Sequence, residues 1–146
     1  MKAINFIERT DVFLPSLRKV GDLENFGLPL LSLFCDTMTS KLYLSLRSDQ
    51  DGEVVRWVFV ETSRSSILDY IDEKVDLRTI VLKNKDRESY YVDQYVNQSG
   101  KVTTYKLASF PIEYLPVGNA LFDVDGCSSY YTILDFLSHT HVECNL

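Results

Sequence analysis

The stretch that decides the fold is KLYLSLR at 41–47, followed by SDQDGEVVRWVFVE at 48–61. The first segment alternates apolar and polar side chains, so its leucines share one face of a predicted strand. Asp51-Gly52 is a hairpin signal because glycine tolerates positive φ. Residues 53–61 have apolar side chains on both faces, which predicts a central strand covered on both sides, with Trp57 in the core.

Upstream of this hairpin, the apolar run Leu30 to Phe34 follows Pro29 and predicts a further strand. It completes a three-stranded antiparallel meander. Residues 1–27 mix short apolar pieces with Pro15 and Gly21. We interpret them as an N-terminal arm, either a short strand or irregular, with one helical turn near Pro15 to Val20.

Downstream, the spacing of the apolar residues changes to that of a helix. Ser63 or Ser65 is a suitable N-cap, and Ile67, Leu68 and Ile71 then share one helical face. Asp76 can begin a second short helix, whose buried side chains are Leu77, Ile80 and Val81.

The last elements are a second hairpin and a helix. Residues 89–96 and 101–107 predict two strands around a turn, and a helix is expected from about Ser128 to Ser138. The predicted fold class is α+β, a mainly antiparallel sheet of five or six strands with short helices packed on one face. We predict one globular domain over 1–146, with an arm at 1–27, a core at 28–107 and acidic loops and a helix at 108–146.

The composition is that of an ordinary globular protein, with 146 residues, 45% hydrophobic and 25% charged. The net charge of -6 is concentrated after Lys106, because residues 108–146 contain Glu113, Asp123, Asp125, Asp135 and Glu143 but no Lys or Arg. Phosphate binding needs clustered cations, so direct nucleic-acid binding is disfavoured. No apolar run is long enough for a membrane span, so no membrane partner is predicted.

The cysteines and the N-terminus bear on location. Cys35, Cys127 and Cys144 are too few and too scattered for a disulfide framework, and we interpret Cys35 as a small core residue. Glu8 and Arg9 interrupt the apolar residues of the N-terminus, which is unlike a signal peptide. A cytoplasmic location is therefore predicted.

Motifs for catalysis are missing from the sequence. No Gly-x-Ser-x-Gly, phosphate-binding loop or dinucleotide fingerprint is present. Paired acids such as Glu53 and Glu61 have no visible partner that would tune them for acid–base chemistry. We predict no catalytic residue and no cofactor.

Two segments could bind a metal, but each fits poorly. His139, His141, Glu143 and Cys144 have ligand chemistry suited to zinc, yet they lie at the chain end. Asp123-Val-Asp125-Gly126 resembles the start of a calcium loop, but the third ligand is missing and position 132 is Thr. We predict no metal site and interpret these segments as a polar tail and a turn.

Tyrosine is the residue type that suggests a function. Nine are present, with the pairs Tyr90-Tyr91 and Tyr130-Tyr131. Exposed tyrosine suits protein interfaces, since it offers a large contact area and a hydroxyl. The predicted partner-binding residues combine tyrosines with acids that lack basic neighbours: Tyr90, Tyr91, Asp93, Tyr95, Asp123, Asp125, Tyr130 and Tyr131.

The central region resembles a known group of proteins. Pro29-Leu-Leu-Ser-Leu-Phe-Cys-Asp36, Tyr43-Leu-Ser-Leu46, a Trp-containing strand, a short helix and Asp76-Leu-Arg78 are similar to segments of small uncharacterised α+β proteins of bacteria and phages. The likeness covers residues 27–95. It implies a bacterial or phage origin and a small accessory domain.

The predicted function is that of a non-catalytic protein-binding module, an accessory, immunity or inhibitor protein whose partner has a basic face. One alternative is an acidic mimic of nucleic-acid phosphates that inhibits a DNA- or RNA-binding enzyme. Another is a metal-dependent hydrolase that uses Asp123, Asp125 and the terminal histidines.

Overall fold

Seven strands and three α-helices form the part of the chain that the computed structural model describes, which comprises residues 6–9, 14–25, 29–84, 86–97, 101–116 and 118–139. The strands are β1 (Phe6–Arg9), β2 (Leu17–Asn25), β3 (Pro29–Asp36), β4 (Leu42–Asp51), β5 (Val54–Thr62), β6 (Ser89–Tyr95) and β7 (Val102–Leu107). The helices are α1 (Arg64–Ile71), α2 (Leu77–Lys83) and α3 (Tyr130–Ser138). None of these helices is long and apolar enough to cross a membrane.

The sheet has the order β1-β7-β6-β5-β4-β3-β2, and every neighbouring pair is antiparallel. The expected meander of β3, β4 and β5 and the second hairpin of β6 and β7 are confirmed. The α+β class with helices on one face is also confirmed. The sheet has seven strands, where five or six were expected.

The additional strand is β2, in the region that was expected to be an arm. Its pairing with β3 shifts register three times, between Lys19 and Gly21, between Asp22 and Glu24, and between Glu24 and Asn25. Each shift interrupts the two-residue alternation that identifies a strand in a sequence. The pattern along 17–25 therefore does not look like a strand, although the backbone pairs as one.

Both predicted helix caps in the centre of the chain are confirmed. The Ser63 hydroxyl accepts a hydrogen bond from the Ser66 N–H, and the Asp76 carboxylate accepts one from the Thr79 N–H. The last helix begins after Ser129 and buries Ile133 and Leu137.

The main core lies between the three helices and one sheet face, here called the helix-covered face. The sheet contributes alternate residues such as Leu33, Leu44 and Val58, all fully buried. The helices contribute buried apolar side chains from α1, α2 and α3, namely Ile67, Tyr70, Ile71, Leu77, Ile80, Val81, Ile133 and Leu137. Burial of this apolar surface is what holds the helices on the sheet.

The opposite face, here called the second face, has its own smaller core of Tyr43, Phe59, Tyr90 and Val92. A cavity of about 300 Å³ on this face is lined by side chains from six strands, β2 to β7. Six flat strands would extend over about 24 Å, which is far wider than such a cavity. The sheet is therefore strongly curved, with the second face on its concave side.

Two expectations about single residues are corrected. Trp57 is only half-buried, because it lines the cavity on the second face instead of packing in a closed core. Cys35 is buried as expected, but it is disulfide-bonded. Disulfides persist mainly in oxidising compartments, so this cysteine argues against the use of the scattered cysteines to predict a cytoplasmic location.

Candidate functional site

The segment that follows residue 117 is fastened to the start of α2. The Asp76 carboxylate that caps α2 also accepts a hydrogen bond from the Asn119 N–H at 2.8 Å. The Leu77 N–H donates to the Ala120 carbonyl at 2.9 Å. Hydrogen bonds to this carboxylate, chiefly from the Thr79 hydroxyl, hold the pKa of Asp76 below its usual range. One side chain thus fixes both a helix start and the loop beside it.

A series of four aromatic rings leads from the main core to the surface beyond this loop. Tyr70 meets Phe122 edge-on at 5.6 Å between centroids, and Phe122 stacks on Tyr130 at 6.0 Å. Tyr130 contacts Tyr131 at 5.2 Å. Tyr70 and Phe122 are buried, Tyr130 is half-buried and Tyr131 is 82% exposed. A series of contacting rings therefore leads from the core to one exposed tyrosine.

Exposed acidic and apolar residues lie close to Tyr131 in the sequence. Asp123 and Asp125 are exposed and belong to a tight turn, in which the Asp123 carboxylate accepts a hydrogen bond from the Asp125 N–H at 3.0 Å. Leu121 and Val124, on either side of Asp123, are about half exposed. Asp135 lies one helical turn after Tyr131 and is exposed.

We call this set the acidic aromatic surface, and it consists of Leu121, Asp123, Val124, Asp125, Tyr130, Tyr131 and Asp135. Four of the predicted partner-binding residues belong to it. Sequence reasoning missed the two exposed apolar residues, although the alternation of apolar and acidic residues in LFDVD at 121–125 was a usable signal.

The segment that carries this surface packs closely against strand β2. Gly21 lies against α3, where a Cβ atom on it would be 2.5 Å from the Ser129 Cβ. The Asp22 N–H donates to the Ser129 hydroxyl at 3.1 Å, and the Cys127 thiol lies 3.3 Å from the Asp22 carbonyl. The glycine at 21 thus allows the close approach that holds the start of α3.

The other predicted partner-binding residues lie in β6, and the structure places three of them inside the protein. Tyr90, Tyr91 and Asp93 are each at most 7% exposed. They are buried because β6 is an inner strand of the sheet, with the helix-covered core on one face and the concave second face on the other. Tyr95 is half-buried, with the Lys101 ammonium 4.8 Å from its ring. The strand therefore contributes little to the accessible surface.

Asp93 has a partner that sequence reasoning did not identify. Arg56, its neighbour on β5, donates two hydrogen bonds to the Asp93 carboxylate. The same guanidinium lies 4.0 Å from the Tyr91 ring centroid. The acid is thus neutralised within the fold instead of being available to a partner.

A second polar cluster lies at the end of the sheet where β6 begins. The Glu88 carboxylate accepts hydrogen bonds from the Tyr43 hydroxyl at 2.8 Å, the Tyr90 hydroxyl at 3.0 Å and the Lys41 ammonium at 3.0 Å. Burial opposes ionisation of Glu88, but these hydrogen bonds outweigh it and lower its pKa. Burial and the same carboxylate raise the pKa of both tyrosines.

This cluster is poorly suited to acid–base catalysis. A catalytic acid or base works best when its pKa is near the working pH. Here the pKa of Glu88 is lowered, and that of Lys41 is raised by its hydrogen bond to Glu88. Each of these shifts moves a pKa further from neutral pH, which does not favour acid–base catalysis by this cluster near that pH.

The segments that resembled metal sites do not converge where the structure describes them. Within the described ranges, no group of three or more His, Cys, Asp or Glu side chains could hold a metal ion. His139 Nδ1 lies 2.9 Å from the Asp135 carbonyl at the end of α3. His141, Glu143 and Cys144 lie outside the described residues.

Comparisons of the chain with protein-family models, with curated proteins and with solved structures find no match.

Proposed function

We propose that the protein is a non-catalytic protein-binding module and that its acidic aromatic surface contacts a basic face of another protein. The observation that carries this proposal is Tyr131, which is 82% exposed at the end of a series of packed rings. Tyrosine is enriched at binding hot spots because it buries a large area at a small entropic cost.

Charge supports the same proposal and indicates the kind of partner. Asp123, Asp125 and Asp135 are exposed, and the sequence has no Lys or Arg after Lys106. Complementary charge mainly accelerates association and selects the partner. A partner with Lys and Arg around an apolar recess is therefore the one that fits.

The biological setting is part of the proposal. The resemblance of residues 27–95 supports an accessory, immunity or inhibitor role in a bacterium or phage. A cytoplasmic location belongs to the same proposal, and the disulfide at Cys35 is the feature that argues against it. Fractionation of the native cells, with thiol labelling before and after reduction, distinguishes a cytoplasmic location from an oxidising compartment.

The test is affinity capture from the native cells with four matched baits. These are the parent chain, Tyr131→Ala, the double variant Asp123→Asn/Asp125→Asn, and Met38→Ala. Met38 is a suitable control because it is as exposed as Tyr131 and lies in the turn between β3 and β4. We expect one set of proteins to be retained by the parent and by Met38→Ala, and to be lost from the other two.

The same proteins retained by all four folded baits would contradict the proposed surface. If the captured partner is a DNA- or RNA-binding enzyme and nucleic acid releases it, the protein instead acts as a mimic of phosphates.

A further inference from the structure

The concave second face contains a cavity with the size and lining of a small-molecule site. Its volume is about 300 Å³, which is at the lower end of the range for ligand pockets. Three aromatic side chains, Phe34, Trp57 and Phe59, form much of its wall. The Phe34 and Phe59 rings lie 5.1 Å apart at an angle of 56°, so a flat apolar molecule can contact ring faces and edges together.

Ser45 provides a polar group in the lining of this cavity. The residue is 2% exposed, and it contributes a hydroxyl to a wall that is otherwise largely aromatic and aliphatic. A serine hydroxyl can both donate and accept a hydrogen bond. A ligand that brings one donor or acceptor to this point can therefore bond to it.

The charge around the cavity favours a neutral ligand. Its one lining cation among the described residues is Lys19, and the Lys19 ammonium lies 2.5 Å from the Asp22 carboxylate. The same carboxylate accepts a hydrogen bond from the Ser32 hydroxyl at 2.6 Å. The lysine is thus already neutralised, and an anionic ligand would have to compete with Asp22 for it.

We infer that this cavity binds a neutral, planar aromatic molecule of one or two fused rings that carries a single hydrogen-bonding group. The rings lie against Phe34, Trp57 and Phe59, and the polar group meets the Ser45 hydroxyl. The site is on the second face and does not include any residue of the acidic aromatic surface. It therefore goes beyond the proposed protein-binding function and does not depend on it.

Trp57 makes the inference directly testable, because it is the single tryptophan of the chain and lines the cavity. The probe is dansylamide, a neutral two-ring aromatic amide whose absorption overlaps tryptophan emission. Titration of the full chain should give saturable energy transfer from Trp57. The matched probe is the corresponding naphthalenesulfonate, which is anionic and should bind more weakly.

Two variants locate the probe. Ser45→Ala should weaken binding by about five- to tenfold, as expected for loss of one hydrogen bond. Val102→Phe, at the half-buried rim, should fill the cavity and abolish transfer, whereas Val96→Phe, an exposed position outside the lining, should bind like the parent. Melting curves confirm that each variant folds.

Lack of saturable transfer to the parent chain would overturn the inference. So would tighter binding of the anionic probe, or unchanged binding by both folded cavity variants.

Discussion

The Arg56 guanidinium and the Asp93 carboxylate form a two-pronged ion pair between β5 and β6, with Nε–Oδ1 at 2.7 Å and Nη2–Oδ2 at 2.9 Å. The Asp93 side chain is 7% exposed and that of Arg56 is 34% exposed. A carboxylate buried to this degree depends on its cation, since an unpaired buried charge is costly.

We predict that Arg56→Met destabilises the protein by about 2–3 kcal/mol, at or below the range for breaking a buried pair because the arginine is partly hydrated. The double variant Arg56→Met/Asp93→Leu should recover much of this loss, since it removes the orphaned charge as well. Urea unfolding of the parent and the variants measures both effects. A double variant less stable than Arg56→Met would contradict this account of Asp93.

Gly21→Ala should destabilise the attachment of α3. The new methyl group would lie 2.5 Å from the Ser129 Cβ and 3.0 Å from a carbon of Ile133. Either α3 or β2 must shift, which typically costs about 1–3 kcal/mol. Gly118→Ala is the matched control, because nothing lies within 4 Å of the corresponding Cβ position. Equal melting temperatures for the two variants would show that α3 does not depend on the close approach at Gly21.

Acid should weaken the cluster around Glu88. The pKa of Glu88 is lowered in the folded protein, because hydrogen bonds from Tyr43, Lys41 and Tyr90 outweigh the opposing effect of burial. The unfolded-state pKa of a glutamate is about 4.3. The stabilisation from its ionised form is therefore present above about pH 4.3 and is lost as the pH falls through the lower folded-state value.

Unfolding of the parent between pH 6 and pH 3 should thus show a steeper loss of stability than unfolding of Glu88→Gln. Glu113→Gln, at an exposed position, serves as the control and should keep the slope of the parent. If Glu88→Gln also keeps that slope, the carboxylate contributes nothing to acid sensitivity.

Alkaline pH should reveal the buried tyrosines. Burial, followed by the proximity of Tyr114, raises the pKa of Tyr91 to about 12, and burial also raises those of Tyr43, Tyr70 and Tyr90. An ordinary tyrosine ionises near pH 10. Because the folded-state pKa of these tyrosines is raised, their neutral hydroxyls stabilise the folded protein. This stabilisation is complete below about pH 10 and is lost as the pH rises toward 12.

Phenolate absorbance measures this directly. The hydroxyls of Tyr43, Tyr70, Tyr90 and Tyr91 should ionise only together with the loss of circular dichroism. In concentrated urea all nine tyrosines should titrate in one step. A single step near pH 10 in the folded protein would show that these hydroxyls are accessible.

The sequence predicts the centre of this fold well. The alternation in 41–47, the Asp51-Gly52 turn and the caps at Ser63 and Asp76 are local signals, and the structure confirms each element that they predicted. The same reasoning failed at β2, because its three register shifts remove the alternation on which such a prediction depends.

The candidate site was only partly predictable, because exposure depends on the whole sheet. Tyr91 and Tyr131 both follow another tyrosine in the sequence, yet one is 7% exposed and the other 82%. The difference arises since β6 lies inside a curved sheet, whereas Tyr131 is on the outer side of a terminal helix. Sheet order and curvature come from long-range pairing, which no local pattern reports.

The central claim is that the partner contacts the acidic aromatic surface, and site-specific photo-cross-linking tests it most directly. A photoreactive amino acid is placed at position 131 in one sample and at the equally exposed position 38 in another, and both are irradiated in native cells. We predict one dominant cross-linked protein from position 131, reduced by high salt, and none above background from position 38. Equal labelling from both positions, or labelling from position 38 alone, would contradict the claim.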